Sequence, residues 1–467
     1  MRKVKKTLQL MLCTAAITVG TYGATNAQNA SDDLMVNTLK EAVVTGMKTN
    51  PETGVVENNR RATDEELRQA QALYYPSIDV VGDTGYQYSD NISTQNRLFD
   101  DDDEILYKYQ IGVTLTQMLF DGFETQYENA RQYWRVRSAS HRVRETAEFV
   151  GLDIIEAYLD VVRQRELLRI AQSNVQQHLD IMGQIEDGAE AGRSTDADLE
   201  QVRARLAAAR ANEANVIEAL RVSEAAYKQQ VGDLPGDLEV PTVPVDAIEA
   251  DVETEVKHAI THSPTLDIFE ADVNVAEMER RQTRSTYYPQ VDLELNAAAG
   301  ENNNGIEATD KNASALLVLN WNLFRGGGDV ARERELIYRQ AQAKEQRNDT
   351  SRAIENDVRT TWASMVSAGE RARQFSAQAA ANEQVVNAYK DQFDLDRRTL
   401  LDVLDAQNEL FVSRSNTINA EFLEMFAVYR LLALKGSLMP TLGLDYPRES
   451  KVAAEDTWTK DEKMEAR

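Results

Sequence analysis

The chain has 467 residues, with 51 Lys and Arg against 77 Asp and Glu, and a formal net charge of −26. So acidic a chain lacks the basic footprint that binding to phosphate backbones needs, which argues against nucleic acid as a partner. The length admits two or three ordinary domains or one elongated architecture, and a single cysteine, Cys13, leaves no disulfide framework.

Met1, Arg2, Lys3, Val4, Lys5 and Lys6 precede a mostly apolar run from Leu8 to about Val19 and small residues ending at Thr25, Asn26 and Ala27. This pattern predicts a secretory signal over 1–27. A short membrane anchor is the alternative, but the run falls short of the ~20 residues a spanning helix needs. Cys13 lies inside this segment, and the bulky Leu12 before it makes a poor lipoprotein signal. Without residues 1–27, 47 basic residues would face 77 acidic ones. No later run is long enough for a transmembrane helix, leaving the periplasm, secretion, or the outer membrane by β-barrel.

Residues 28–236 read as a first structural unit. Leu39, Val43 and Met47 recur at helical spacing, Asn50 and Pro51 punctuate, and a helix resumes until Tyr74, Tyr75 and Pro76. Over 76–119 the chain alternates: Ile78, Val80, Tyr86 and Tyr88, then Tyr109, Ile111, Val113 and Leu115, fall on one face, and Asp79, Asp83, Gln110 and Thr114 on the other. The pattern predicts a hairpin with one side in lipid and one in water. The loop between, with Asp100, Asp101, Asp102, Asp103 and Glu104, reads as solvated, with Ca²⁺ binding as the alternative. Long coiled helices are predicted over 122–232. Val161, Leu168, Val175 and Met182 recur every seven residues, Gly188 and Gly192 interrupt, and a second helix runs from Asp196 to Val231.

After a linker over 237–249, residues 250–440 repeat the first unit. Ser263-Pro264 answers Asn50-Pro51 and Tyr287-Tyr288-Pro289 answers Tyr74-Tyr75-Pro76, both at an offset of 213. Leu323-Phe324-Arg325-Gly326 answers Leu119-Phe120-Asp121-Gly122 at 204, an offset that holds through Asp198 with Asp402 and Gly232 with Gly436. A second hairpin is thus expected over 289–324 and long helices over 327–436. The shortening falls entirely in the strands and their loop. Residues 441–467 read as an acidic disordered tail.

Four strands per chain cannot close a membrane barrel, so several copies must share one. The order of elements, with YYP at both strand starts, LFxG at both hairpin ends and the phrase RRTLLDVLDAQNEL, resembles the TolC family of outer-membrane channels over roughly 34–438. The closing YRLLALKGSL looks most like members serving type I secretion. The resemblance implies a mostly α fold with β: a homotrimer with a shared 12-stranded barrel in outer-membrane lipid and a long α-helical barrel across the periplasm. It also implies a periplasmic adaptor and an inner-membrane transporter as partners, and no cofactor.

Asp402 and Asp405 alone would read as a solvated helix face. The resemblance makes them the pore constriction, with Arg398 as a gate latch, Asp198 as its partner, and Phe393 where the family often has a Tyr hydroxyl. Gly192, Arg193, Ser194, Thr399 and Leu400 fall at the tip where an adaptor would dock. His258 and His262 are four apart but lack a third metal ligand, and Gly326-Gly327-Gly328 lacks the Lys and Ser or Thr of a phosphate loop. No constellation for catalysis is present, so the chain does not read as an enzyme. The competing functions are a multidrug or metal-ion efflux duct and, in another class, a secreted coiled-coil structural or adhesive protein.

Overall fold

A computed structural model describes residues 38–95, 103–395 and 397–451. The predicted signal, most of the acidic run Asp100–Asp103, and positions 452–467 lie outside them. The first half comprises α1 (Leu39–Thr49), α2 (Pro51–Ala72), β1 (Ser77–Ser89), a short α3 (Ile92–Gln95), β2 (Glu104–Phe120), α4 (Glu124–Glu190) and α5 (Asp196–Val231). The second comprises α6 (Val252–His262), α7 (Pro264–Gln282), β3 (Gln290–Glu301), β4 (Thr309–Asn320), α8 (Gly328–Asp394), α9 (Leu400–Leu434) and a short α10 (Leu438–Thr441). Among the described residues no helix is long and apolar enough to cross a membrane.

The four strands form one antiparallel sheet in the order β1-β2-β3-β4. Its register places Ile78 opposite Leu115, Val80 opposite Val113 and Leu115 opposite Leu295, with Leu295 against Ala315 and Leu293 against Leu317. Strand alternation therefore collects most of the large apolar side chains of the four strands on one exposed face, with Val81, Leu106, Leu316 and Val318 on the other. The other face carries polar pairs: Lys108 lies 3.0 Å from Asp83, and Thr114 Oγ1 donates to Asn296 Oδ1 at 2.7 Å. Among the described residues both outer strands, β1 and β4, lack a second strand neighbour.

The strand-to-helix bends are tight. Gly122 and Phe123 both sit at positive φ (69° and 70°), and Gly326 and Gly327 repeat the bend at 63° and 83°. A Cβ on Gly122 would stand 2.7 Å from the Cβ of Tyr288 and 2.8 Å from the carbonyl oxygen of Ser285, so glycine there serves both the turn and the packing. From these bends α4 and α8 run 67 residues each, roughly 100 Å at ~1.5 Å per residue. The heptad residue Val161 is fully buried and Leu168 packs against the same core. That core joins α1, α4, α5, α9 and the segment after α9 where the short helices belt the long ones.

The tail expectation is corrected over 441–451. Leu442, Leu444 and Tyr446 pack on the main core, Lys40 Nζ donates to the Gly443 carbonyl at 3.1 Å, and Arg61 holds Glu449 at 2.6 Å. At the centre, fully buried Glu148 accepts from the amides of Leu438 (2.8 Å) and Met439 (3.3 Å) and from the Tyr446 hydroxyl. The alternation of apolar residues from Leu442 to Tyr446 outweighs the acidic composition around it, because their burial offsets the entropy of ordering the segment.

Candidate functional site at the helix tips

The two helix pairs end in turns built alike. In the first, Gly192 adopts φ 72°, Arg193 N donates to the Gly188 carbonyl at 2.7 Å, and Thr195 caps α5. The Thr195 hydroxyl oxygen accepts from Asp198 N at 3.2 Å, while the Asp198 carboxylate accepts from Thr195 N at 3.0 Å and from its hydroxyl at 2.7 Å. In the second, Arg397 N returns to the Gln392 carbonyl at 2.8 Å, and Thr399 caps α9 with Asp402 in the same reciprocal way, at 3.3, 3.2 and 2.8 Å. Both are capping boxes, with an acid three residues after the cap. The bonds from Thr195 and Thr399 lower the pKa of Asp198 and Asp402 respectively, with Arg398 adding to the effect on Asp402.

This local chemistry bears on the expected latch. Asp198 is engaged by Thr195 and makes no ion pair with Arg398 within the chain, although both line a polar cavity of about 500 Å³ between the two tips. Arg398 instead stacks over the Tyr389 ring at 4.1 Å, donates from Nε to Gln392 at 3.2 Å and lies 3.8 Å from Asp402. Tyr389 was missed by sequence reasoning; its signal was an aromatic nine residues before Arg398, on the last turns of α8. Phe393, in contrast, packs on the apolar tip cluster of Ile181, Ile185, Val202, Leu400, Val403 and Leu404.

Asp405 points out of that cluster and pairs with Arg205 of α5 at 2.8 Å, joining the two helix pairs of one chain. The tip surface presents Gly192, Arg193 and Thr399, with Ser194 half-buried. Leu400 is only 5 % exposed and holds the tip together from inside, so it is not a surface contact; Leu395 and Leu401 are the exposed leucines there. The rings of His258 and His262 on the far-off α6 lie 4.3 Å apart, tilted by 51°, and among the described residues no group of three or more His, Cys, Asp or Glu is placed to hold a metal ion.

A sheet with one apolar face, leading through sharp bends into paired helices roughly 100 Å long with acid-bearing tips, defines an outer-membrane channel subunit whose helices extend into the periplasm. The profile of the outer membrane efflux protein family matches residues 47–233 and 256–437, and the chain belongs to that family. It is a channel component, not an enzyme. The outer membrane efflux protein BepC of Brucella suis is 25% identical over 433 residues, covering 90% of this chain and 91% of that protein. The alkaline protease secretion protein AprF of Pseudomonas aeruginosa is 22% identical over 382 residues, covering 79% and 78%. Among solved structures, the outer membrane protein VceC of Vibrio cholerae superposes with a TM-score of 0.72 at 14% identity, over 88% of this chain and 97% of that one.

Proposed function

We propose that three copies of the chain form one continuous duct, the outer-membrane exit of a tripartite export system, with the helix tips as its closable periplasmic entrance. One observation carries the reading: a four-stranded sheet with a lipid-compatible face whose two edge strands have no second strand partner among the described residues. An open edge in hydrocarbon leaves backbone groups unsatisfied at several kcal/mol each, so β4 of one copy pairs with β1 of the next and three copies supply twelve strands. The duplication supports the same ring. Among the described residues α4 of the first half packs extensively on α7 of the second, whereas α8, the counterpart of α4, has no comparable neighbour on its other side. The place is filled by α2 of the next copy, the counterpart of α7.

In the trimer the tips converge, and Asp402 with Asp405 provides six carboxylates around the constriction. Confined charges of one sign concentrate cations and repel anions. Arg398, on Tyr389, holds the second turn as a latch next to Asp198 and Phe393, while Gly192, Arg193, Ser194 and Thr399, with exposed Leu401, form the adaptor-docking rim. Opening requires no bond chemistry, so the energy comes from the inner-membrane transporter acting through the adaptor. Type I protein secretion is favoured by the likeness to a protease secretion protein; the likeness to an efflux protein supports small-molecule efflux as the second reading. Exchanging adaptor and transporter partners separates the two.

In planar bilayers the wild-type protein is expected to conduct with cation preference. The variant Asp402→Ala with Asp405→Ala should bring the cation-to-anion permeability ratio several-fold closer to one and weaken block by multivalent cations. An unchanged ratio and unchanged block would remove these aspartates from the constriction.

A further inference from the structure

The duplication creates a sorting problem. Helices α1 and α6 occupy equivalent cradles, α1 on α4 and α5, and α6 on α8, where Val256 and Ala259 share a cluster with Leu431 and Leu434 of α9. Matched by the repeat offsets, the contact residues are nearly interchangeable: Val43 answers Val256, Val150 answers Ile354 and Ile154 answers Val358, all buried and apolar. With several copies assembling together, the chain offers twice as many cradles as there are correct choices for either helix.

The equivalence is broken in size at Gly46, where a Cβ would meet Ile154 Cδ1 at 2.5 Å and the second half has Ala259, and in charge at one further matched place. In the first half it holds Ala42 on α1 and Val231 at the end of α5, both fully buried in the same core. In the second half the same places hold Glu255 and Lys435, 3.2 Å apart and only 1 % and 3 % exposed at their side chains. Each charge is further fixed by repeat-specific backbone: Lys435 Nζ donates to the Ala247 carbonyl at 2.6 Å, and the Glu255 carboxylate accepts from Glu249 N at 3.0 Å.

We propose that the Glu255–Lys435 pair is the assembly key that assigns each short helix to its own half of the duplicated chain. Placing α1 in the second cradle sets Ala42 beside Lys435 and buries an unpaired ammonium. Placing α6 in the first sets Glu255 beside Val231 and buries an unpaired carboxylate. Both errors carry the penalty of an uncompensated buried charge, whereas in the correct pair the ammonium lies 3.2 Å from Glu255 Oε1 and donates to Oε2 at 3.4 Å, so each charge faces its opposite. A matched ion pair contributes little net stability over an apolar pair of similar volume, so discrimination is the property this choice of residues supplies.

The proposal rests on the multi-copy duct only for the number of competing cradles. The test is refolding of full-length protein into detergent, comparing wild type with Glu255→Ala plus Lys435→Val, which gives both halves the apolar pair, and with Ala42→Glu plus Val231→Lys, which gives both the ion pair. Either variant is expected to lower the yield of correctly docked protein at least threefold, scored by cross-links between α1 and α5 and between α6 and α9, while the correctly docked fraction melts within a few degrees of wild type. Wild-type yield in the first variant overturns the proposal, as does a yield loss matched by an equally large loss of melting temperature, which would make the pair merely stabilising. Size analysis of the wild type reads the trimer separately: a monomer that still docks α1 and α6 correctly contradicts the duct and not the key.

Discussion

Arg205→Ala combined with Arg398→Ser is expected to raise single-channel conductance several-fold. Arg205 is the α5 residue that clamps Asp405 of α9 at 2.8 Å, and Arg398 is pinned on Tyr389 at 4.1 Å. Exposed ion pairs of this kind are worth about 0.2–1 kcal/mol each, too little to matter once. Repeated in the three subunits of the proposed trimer, the Arg205 clamp alone would contribute roughly 0.6–3 kcal/mol, and a shift of that size changes a closed-to-open ratio by about 3- to 150-fold. Salt distinguishes this account from a packing effect. Raising the ionic strength to about 1 M shortens the screening length to ~3 Å and should loosen the wild-type tip while leaving the double variant unaffected. Conductance equal to wild type at both salt concentrations would mean that these arginines do not hold the entrance.

Glu148 makes the attachment of the 437–451 segment pH-dependent, with greater stability on the acid side. Burial raises its pKa from 4.5 to about 7, against the opposing pull of Tyr446, the Leu438 and Met439 amides and Arg144. The folded state therefore holds a proton between these values that the unfolded chain has released. The stabilisation is complete below about pH 4.5 and is lost as pH rises to about 7, a change of about 3 kcal/mol at ~1.36 kcal/mol per pKa unit. The protonated acid is well accommodated: it can donate to the Tyr446 oxygen, while the Tyr446 hydroxyl turns to the Gly436 carbonyl 2.9 Å away. Thermal melting of Glu148→Gln should lose most of the decline in stability seen in wild type between pH 5 and pH 8. Equal pH slopes in the two proteins would contradict this assignment.

Most of the architecture was legible because it rests on periodicities. The strand faces follow from alternation over Ile78–Tyr88 and Val291–Leu295, and the paired tips follow from a Thr-x-x-Asp box repeated at 195 and 399. That box also carried the information that the Asp198 carboxylate bonds Thr195 within its own turn. Tyr389 was hidden because its contact with Arg398 depends on how the chain reverses after Asp394, a geometry no spacing rule specifies. The packed segment after Pro440 was misread because composition averaged over a long acidic tail masked the apolar alternation at Leu442, Leu444 and Tyr446. The buried pair Glu255 and Lys435 lies 180 residues apart in sequence, and only the alignment of the two halves brings it into view.

The claim that several copies share one barrel is tested most directly by a cross-link whose position the duplication dictates. Thr114 of β2 faces Asn296 of β3, with their side chains hydrogen-bonded at 2.7 Å. Moving the first residue forward by 204 and the second back by 213 gives Val318 of β4 and Asp83 of β1 in the neighbouring copy, both on the polar face of the sheet. The only native cysteine, Cys13, lies in the predicted signal segment, so Val318→Cys with Asp83→Cys introduces the reactive pair cleanly. Mild oxidation of membranes should convert the protein into a covalent ring of three that a reductant dissolves, with much weaker coupling when Asp83→Cys is replaced by Gly85→Cys. Monomers alone after oxidation, or equal coupling at both positions, would contradict a shared barrel in this register.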